Sequence, residues 1–168
     1  MTSNFKICGE ADVTMLLNLV KPVIKIMRDN DLSQYGFKGR VINNEIDYGE
    51  GRPLTRKHHI WTEWRPGFED QQLLTCLSGI TDAVDRIRLM RLKPFRCYSW
   101  HYDTTPRIHI PLITSKQCFL VVEQESKHLE CGNIWWVDTT KYHTAVNGSD
   151  RERYHLVYEV IGPNNGFL

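Results

Sequence analysis

The period of the chain changes at Ile87, and that change limits the folds open to it. From there onward apolar and polar residues alternate in short runs, IRLMRL, CYSWHYD and RIHIPLI, followed by the apolar runs CFLVVEQ and NIWWVD and by HLVYEVI. Alternation with period two puts successive side chains on opposite faces of a strand. Six or seven such strands, separated by turn residues, read as an antiparallel double sheet. Upstream the spacing is helical. Asp12 is placed to cap a helix through about Arg28, with Leu16, Leu17, Leu19, Val20, Val23, Ile24 and Met27 recurring on one side. Pro22 lies inside that pattern and is expected to kink or shorten it. A second helix is expected from Glu69 to about Arg86, its apolar stripe being Leu73, Leu74, Cys76, Leu77, Ile80, Val84 and Ile87. Residues 30–58 read as loops with short strands such as GRVINN. The expected fold is mainly β with flanking helices, a jelly roll whose helices cover one outer face. With no internal repeat or linker, residues 1–168 are expected to form one domain, 1–86 supporting a β core over 87–162.

The formal net charge of the 168 residues is +1, which gives no electrostatic case for a dedicated nucleic-acid surface or an anionic membrane. Arg86, Arg88, Arg91, Lys93 and Arg96 are spaced and interleaved with apolar residues, as on an element with one solvated face. The five cysteines include no C-x-x-C pair and are odd in number. They are expected to be buried free thiols in a reducing compartment. The start MTSNFKICGEADVTM lacks the pattern of a secretory leader, and no apolar run approaches the roughly eighteen residues of a membrane span. A cytoplasmic enzyme or binding protein is the expectation.

The chemistry concentrates in WHYDTTPRIHIPL, residues 100–112, together with His143 and RYHL at 153–156. On a strand, His101 and Asp103 share a face, and His143 joins them only if the sheet folds back on itself. Two imidazoles and one carboxylate on one face suit Fe(II), leaving three octahedral positions for substrate and O2. H-x-D alone recurs by chance as a hydrogen-bonded surface pair, so the weight rests on the set. If His143 opens a strand and NGSD makes the turn, Arg153 returns beside His101 and Asp103, where a guanidinium could grip a carboxylate bidentately. For Arg151 a surface charge is the better reading. Arg107 and His109 share one face, with Ile108 and Ile110 on the other. They form either a cavity wall that meets a carboxylate or a solvent-facing strand edge. Tyr98 shares a face with Trp100, away from His101 if the strand is regular. His155 receives no role, and His58, His59 and His128 read as solvated. Trp61, Trp135 and Trp136 read as core or cavity wall, and Gly132 as a turn glycine.

Taken in order, RLMRLKP, H-Y-D, R-I-H-I-P-L, G-N-I-W-W-V-D, H-T-A-V-N-G-S and R-Y-H-L resemble the aspartyl/asparaginyl β-hydroxylase family of Fe(II)/2-oxoglutarate-dependent oxygenases. The resemblance covers about residues 86–160. It implies a double-stranded β-helix (cupin-like) in which His101, Asp103 and His143 bind iron. It further implies that Arg153 binds the distal carboxylate of 2-oxoglutarate, with Arg107 and His109 around the co-substrate. The animal β-hydroxylases lack an acidic ligand at the position of Asp103, so the chain looks closer to bacterial and phage branches that include free amino-acid hydroxylases. The implied reaction consumes O2 and 2-oxoglutarate, releases succinate and CO2, and hydroxylates an aliphatic C–H of an amino acid or of a peptide or protein side chain of Asp, Asn or Pro type. RPLTRKHH, within loop 43–70, is expected to help select that substrate. The competing expectations are a non-catalytic cupin-like domain that binds a metal or small acid, and a hydrolase or isomerase using Zn or Mn.

Overall fold

The computed structural model describes residues 3–50, 61–68, 72–77 and 84–161. The expectations for RPLTRKHH, His58, His59 and positions 69–71 and 78–83 fall outside the described residues. In chain order the elements are β1 (Phe5–Glu10), α1 (Val13–Asp29), β2 (Gln34–Gly36), β3 (Lys38–Ile42), β4 (Glu45–Asp47), β5 (Glu63–Trp64) and α2 (Gln72–Thr75). There follow β6 (Val84–Leu92), β7 (Arg96–Cys97), β8 (Arg107–Ile113), β9 (Cys118–Val122), β10 (Glu125–Lys127), β11 (Asn133–Val137), β12 (His143–Asn147) and β13 (Arg153–Val160). A six-stranded sheet runs β1-β11-β8-β13-β6-β2, a four-stranded sheet β10-β9-β12-β7, and a small three-stranded sheet β4-β3-β5. All pairings are antiparallel. The expected jelly roll is therefore present.

Strand alternation builds two cores. Ile87 and Leu89 of β6, Ile108 and Ile110 of β8, and Tyr154, Leu156 and Tyr158 of β13 point to one side of the large sheet. They meet Leu16, Val20, Val23 and Met27 of α1, which lie at helical spacing and are fully buried. Each such side chain contributes roughly 1.5–3 kcal/mol by leaving water. On the other side Trp135 and Val137 of β11 and Leu92 of β6 face Leu120, Val122 and Ala145 of the four-stranded sheet. The helix thus covers one outer face, as its stripe requires.

Two helical expectations are corrected. α1 is capped by Asp12, whose side chain accepts from the Met15 amide at 2.9 Å, but it runs through Pro22 without being shortened. Pro22 lies on the exposed side of the helix, where a missing amide donor costs least. The second helix is far shorter than its stripe suggests, since β6 already begins at Val84. Val84 and Ile87 belong to a strand that is buried on both faces, and such a strand has no alternation to distinguish it from a buried helix. The thiols differ too. All five are free, but Cys118 alone is buried, Cys8 and Cys76 are half-buried, and Cys97 and Cys131 are exposed.

Candidate metal centre

The interior face of the large sheet places polar residues in register. β13 pairs with β8 so that Val157 faces His109 and Glu159 faces Arg107. β13 also pairs with β6, setting Arg153 against Leu92, His155 against Met90 and Val157 against Arg88. Between Val157 and Glu159 the β6 partner advances by an extra residue, and Arg86 at this bulge has φ +25°. The two sheets bound a cleft lined from the large sheet by Arg88, Met90, Arg107, His109, Arg153 and Val157. The opposite wall comes from Leu120, His143 and Ala145 of the small sheet and from Tyr98, His101, Asp103 and Thr139.

His101 and Asp103 do not sit on a regular strand as expected. Residues 98–106 are irregular; His101 and His143 form an isolated bridge by exchanging backbone hydrogen bonds of 3.1 and 2.7 Å, and Tyr98 and Pro106 at the ends of the segment bond to Ala145 and Val160. The segment is pinned elsewhere by Thr139, which is buried. Its carbonyl accepts from the Asp103 amide at 2.8 Å, and its hydroxyl donates to the Thr105 carbonyl at 2.9 Å. The three side chains converge all the same, each offering a donor atom within 4.8 Å of the others. His101 Nδ1 donates to the Ser99 carbonyl at 2.6 Å and His143 Nδ1 to the Lys141 carbonyl at 3.0 Å. A carbonyl can only accept, so both rings carry hydrogen on Nδ1 and leave Nε2 as the ligand atom. Burial holds His143 below the ordinary imidazole value, in the neutral form a metal ligand needs. Burial raises the Asp103 carboxyl, but Arg107 and Arg88 more than offset this and keep it ionised. Two imidazoles and an anionic oxygen fit a divalent first-row metal.

Arg153 is buried and points into the same cleft. Its Nε donates to His155 Nε2 at 2.9 Å, and among the described residues it has no acidic partner. Burial pulls its guanidinium below the ordinary arginine value. A desolvated cation without an anion is expensive, and a ligand carboxylate would satisfy it. His109 adds a buried Nδ1 with no partner. Arg107, by contrast, faces protein carboxylates, with Nη1 2.9 Å from Glu159 Oε1 and Nε 3.2 Å from Asp103 Oδ2, the latter an ion pair without hydrogen-bond geometry.

Several residues of the site were not legible in the sequence. Arg86, Arg88 and Arg91 do not lie on a solvated face: Arg88 lines the cleft, Arg86 is buried over Trp61, and Arg91 is buried against Glu152. Tyr98 lines the cleft because its segment is irregular, and its hydroxyl donates to the Arg91 carbonyl at 3.1 Å. His155 is buried beneath Arg153, a place its i+2 spacing signals. Glu159 is the one acid within the buried strand β13, which also sets it apart. Thr139 carries no sequence signal. His128 is half-buried, its Nδ1 donating to the Cys118 carbonyl at 2.9 Å, rather than solvated. Arg151 is exposed, Trp61, Trp135 and Trp136 are buried, and Gly132 turns with φ +88°, all as expected.

Burial, and then the charge of Arg153, hold both His109 and His155 well below the ordinary imidazole value. The folded protein therefore takes up fewer protons than the unfolded chain once pH falls below about 6.5. Stability is retained above that pH and lost below it, at up to about 1.4 kcal/mol per pH unit for each ring. Urea unfolding at pH 7.5 and 5.5 is expected to show this loss, and His155→Phe to reduce the slope.

Known proteins place this architecture. The chain matches the aspartyl/asparaginyl beta-hydroxylase family over residues 71–163, more than half its length. Among solved structures, the viral collagen prolyl hydroxylase of Paramecium bursaria Chlorella virus-1, in complex with 2-oxoglutarate, is similar with a TM-score of 0.60. The identity is 8%, over 96% of this chain and 97% of that one. AviO1 of Streptomyces viridochromogenes Tue57 aligns with a TM-score of 0.57 and 16% identity, over 95% of this chain and 90% of that one. A cupin domain of Bordetella pertussis Tohama I matches 48% of this chain and 83% of its own length, at 20% identity and a TM-score of 0.41. Among the described residues no helix is long and apolar enough to cross a membrane. With the family matched through the segment that carries His101, His143 and Arg153, and the double-stranded barrel observed around them, this chain is a member of the aspartyl/asparaginyl beta-hydroxylase family.

Proposed function

We propose that the protein is an Fe(II)/2-oxoglutarate-dependent dioxygenase that hydroxylates an aliphatic C–H of an amino acid or of a peptide or protein side chain, with residues 87–162 as its catalytic core. The observation that carries this reading is the pairing of two features in one cleft: the ligand set His101, Asp103 and His143, and the buried Arg153 with no acid beside it. His101 and His143 would hold iron through Nε2, and Asp103 through its carboxylate. Arg153 would receive the distal carboxylate of 2-oxoglutarate, its guanidinium kept in place by His155. The unpartnered Nδ1 of His109 would meet a second polar atom of the same co-substrate. Iron bound there supplies activation of O2, coupling conversion of 2-oxoglutarate to succinate and CO2 with transfer of one oxygen atom to the substrate C–H. Leu120, Ala145, Met90 and Val157 exclude water from the reacting centre. Arg88, half-buried at the cleft wall with its Nε unpartnered, would attract an anionic group of the prime substrate.

The test is anaerobic addition of Fe(II) and 2-oxoglutarate, followed by visible absorption. A charge-transfer band that is absent from His101→Ala is the expected result. A folded, iron-loaded protein without such a band sinks the oxygenase reading and leaves a cupin-like binding domain.

A further inference from the structure

Asp103 is the ligand least secured by secondary structure. It lies on the irregular segment 98–106, and its carboxylate contacts are Arg107 Nε at 3.2 Å from Oδ2 and His143 Nε2 at 3.7 Å. Arg107 is fixed from the far side. Its Nη1 meets Glu159 Oε1 at 2.9 Å and donates to Thr105 Oγ1 at 2.6 Å, while Thr105 Oγ1 donates to Glu159 Oε1 at 3.1 Å. The three groups form a closed triangle. β8 and β13 set it by pairing Arg107 directly with Glu159, and Glu159 is almost wholly buried.

We propose that Glu159 is a positioning residue for the metal centre, anchoring Arg107 with Thr105 so that the guanidinium holds Asp103 facing His101 and His143. The inference rests on the reading of these three residues as metal ligands. It assigns Arg107 to the ligand carboxylate and leaves the co-substrate to Arg153 and His109.

The charges require such an anchor. A lone guanidinium at 3.2 Å would compete with a divalent cation for the Asp103 oxygens. Shared with a second buried carboxylate, the same guanidinium is already neutralised. The group Asp103–Arg107–Glu159 then carries one net negative charge, which remains available to the metal. Thr105 blocks rotation of Arg107 away from this arrangement. Outer groups that orient metal ligands in this way typically govern affinity by ten- to a hundredfold.

Visible titration of the metal-free full-length protein with Co(II) tests the assignment, since it reads affinity and ligand geometry without turnover. Glu159→Gln, nearly isosteric, is expected to weaken Co(II) binding about tenfold and to alter the d–d envelope. Because Glu159 acts through Arg107, adding Glu159→Gln to Arg107→Gln is expected to change affinity by no more than about twofold. An unchanged Co(II) affinity in Glu159→Gln, or effects of the two substitutions that multiply independently, overturns the proposal. Should Glu159→Gln fail to fold, Thr105→Val carries the test. It keeps both charges and removes only the hydroxyl, and an affinity within about twofold of the unmodified protein is the overturning result. If the unmodified protein takes up no Co(II), the ligand reading itself fails, an outcome distinct from normal uptake that is insensitive to Glu159.

Discussion

Replacing Arg153 with Met is expected to abolish measurable binding of 2-oxoglutarate while leaving the metal-free protein at least as stable as before. Arg153 is buried, has no acidic partner among the described residues, and is held below its usual value by desolvation. Its charge is therefore a cost to folding that only a ligand repays. Replacing a buried charge by an apolar side chain of similar length is often neutral or stabilising by about 1–4 kcal/mol. At roughly 2–4 °C per kcal/mol for a chain of this size, the midpoint is expected to rise by several degrees. Affinity should fall at least about a hundredfold, because a bidentate charge-assisted contact is lost in a dry cleft. Titration calorimetry and thermal unfolding of the same sample measure both changes. A variant that binds 2-oxoglutarate normally removes Arg153 from the co-substrate site.

The largest loss of stability is expected at Asn147. It is almost completely buried at the end of β12. Its Nδ2 donates to the carbonyls of Leu92, Lys93 and Arg151 at 3.0, 3.1 and 2.7 Å. Its Oδ1 accepts from the Ser149 amide and hydroxyl at 3.0 and 2.7 Å and from the Cys118 thiol at 3.1 Å. Asn147→Leu fills a similar volume but strands these groups in the interior, where each unmet group costs about 1–3 kcal/mol. A loss of about 4 kcal/mol is expected, or on the order of 10 °C in the midpoint. Arg153 follows the turn that Asn147 ties down, so co-substrate affinity should fall with it. A shift of only a degree or two would mean that water or a rearranged turn replaces the side chain.

These two residues also mark how far the sequence could be read. Arg153 was legible because its distance from His143 spans one strand and one turn, a local relation. Asn147 looked like an ordinary turn residue in NGSD, since its partners at 92 and 93 are more than fifty positions away. The same limit explains the helix expected over residues 69–86. Val84 and Ile87 are apolar because both faces of β6 are covered, and only tertiary structure distinguishes that from a helical stripe. The arginines of β6 are withdrawn from solvent in three settings, Arg88 at the cleft, Arg86 over Trp61 and Arg91 against Glu152, which reverses the usual rule that charge marks the solvated side. His101, Asp103 and His143 converge, but His101 and Asp103 reach their places without the strand geometry that suggested them.

That irregular segment has a consequence for how such a site can evolve. Between Tyr98 and Pro106 the chain belongs to no strand, and the Asp103 amide bonds to the Thr139 carbonyl in a turn, so a change at 103 disturbs no strand ladder. The residue at 103 is therefore separable from the barrel that displays it. A substitution there would leave the two histidines in place, because His101 and His143 are locked to each other by their backbones. The proposed triad is thus two characters, a histidine pair set by the fold and an acid that can change independently of it.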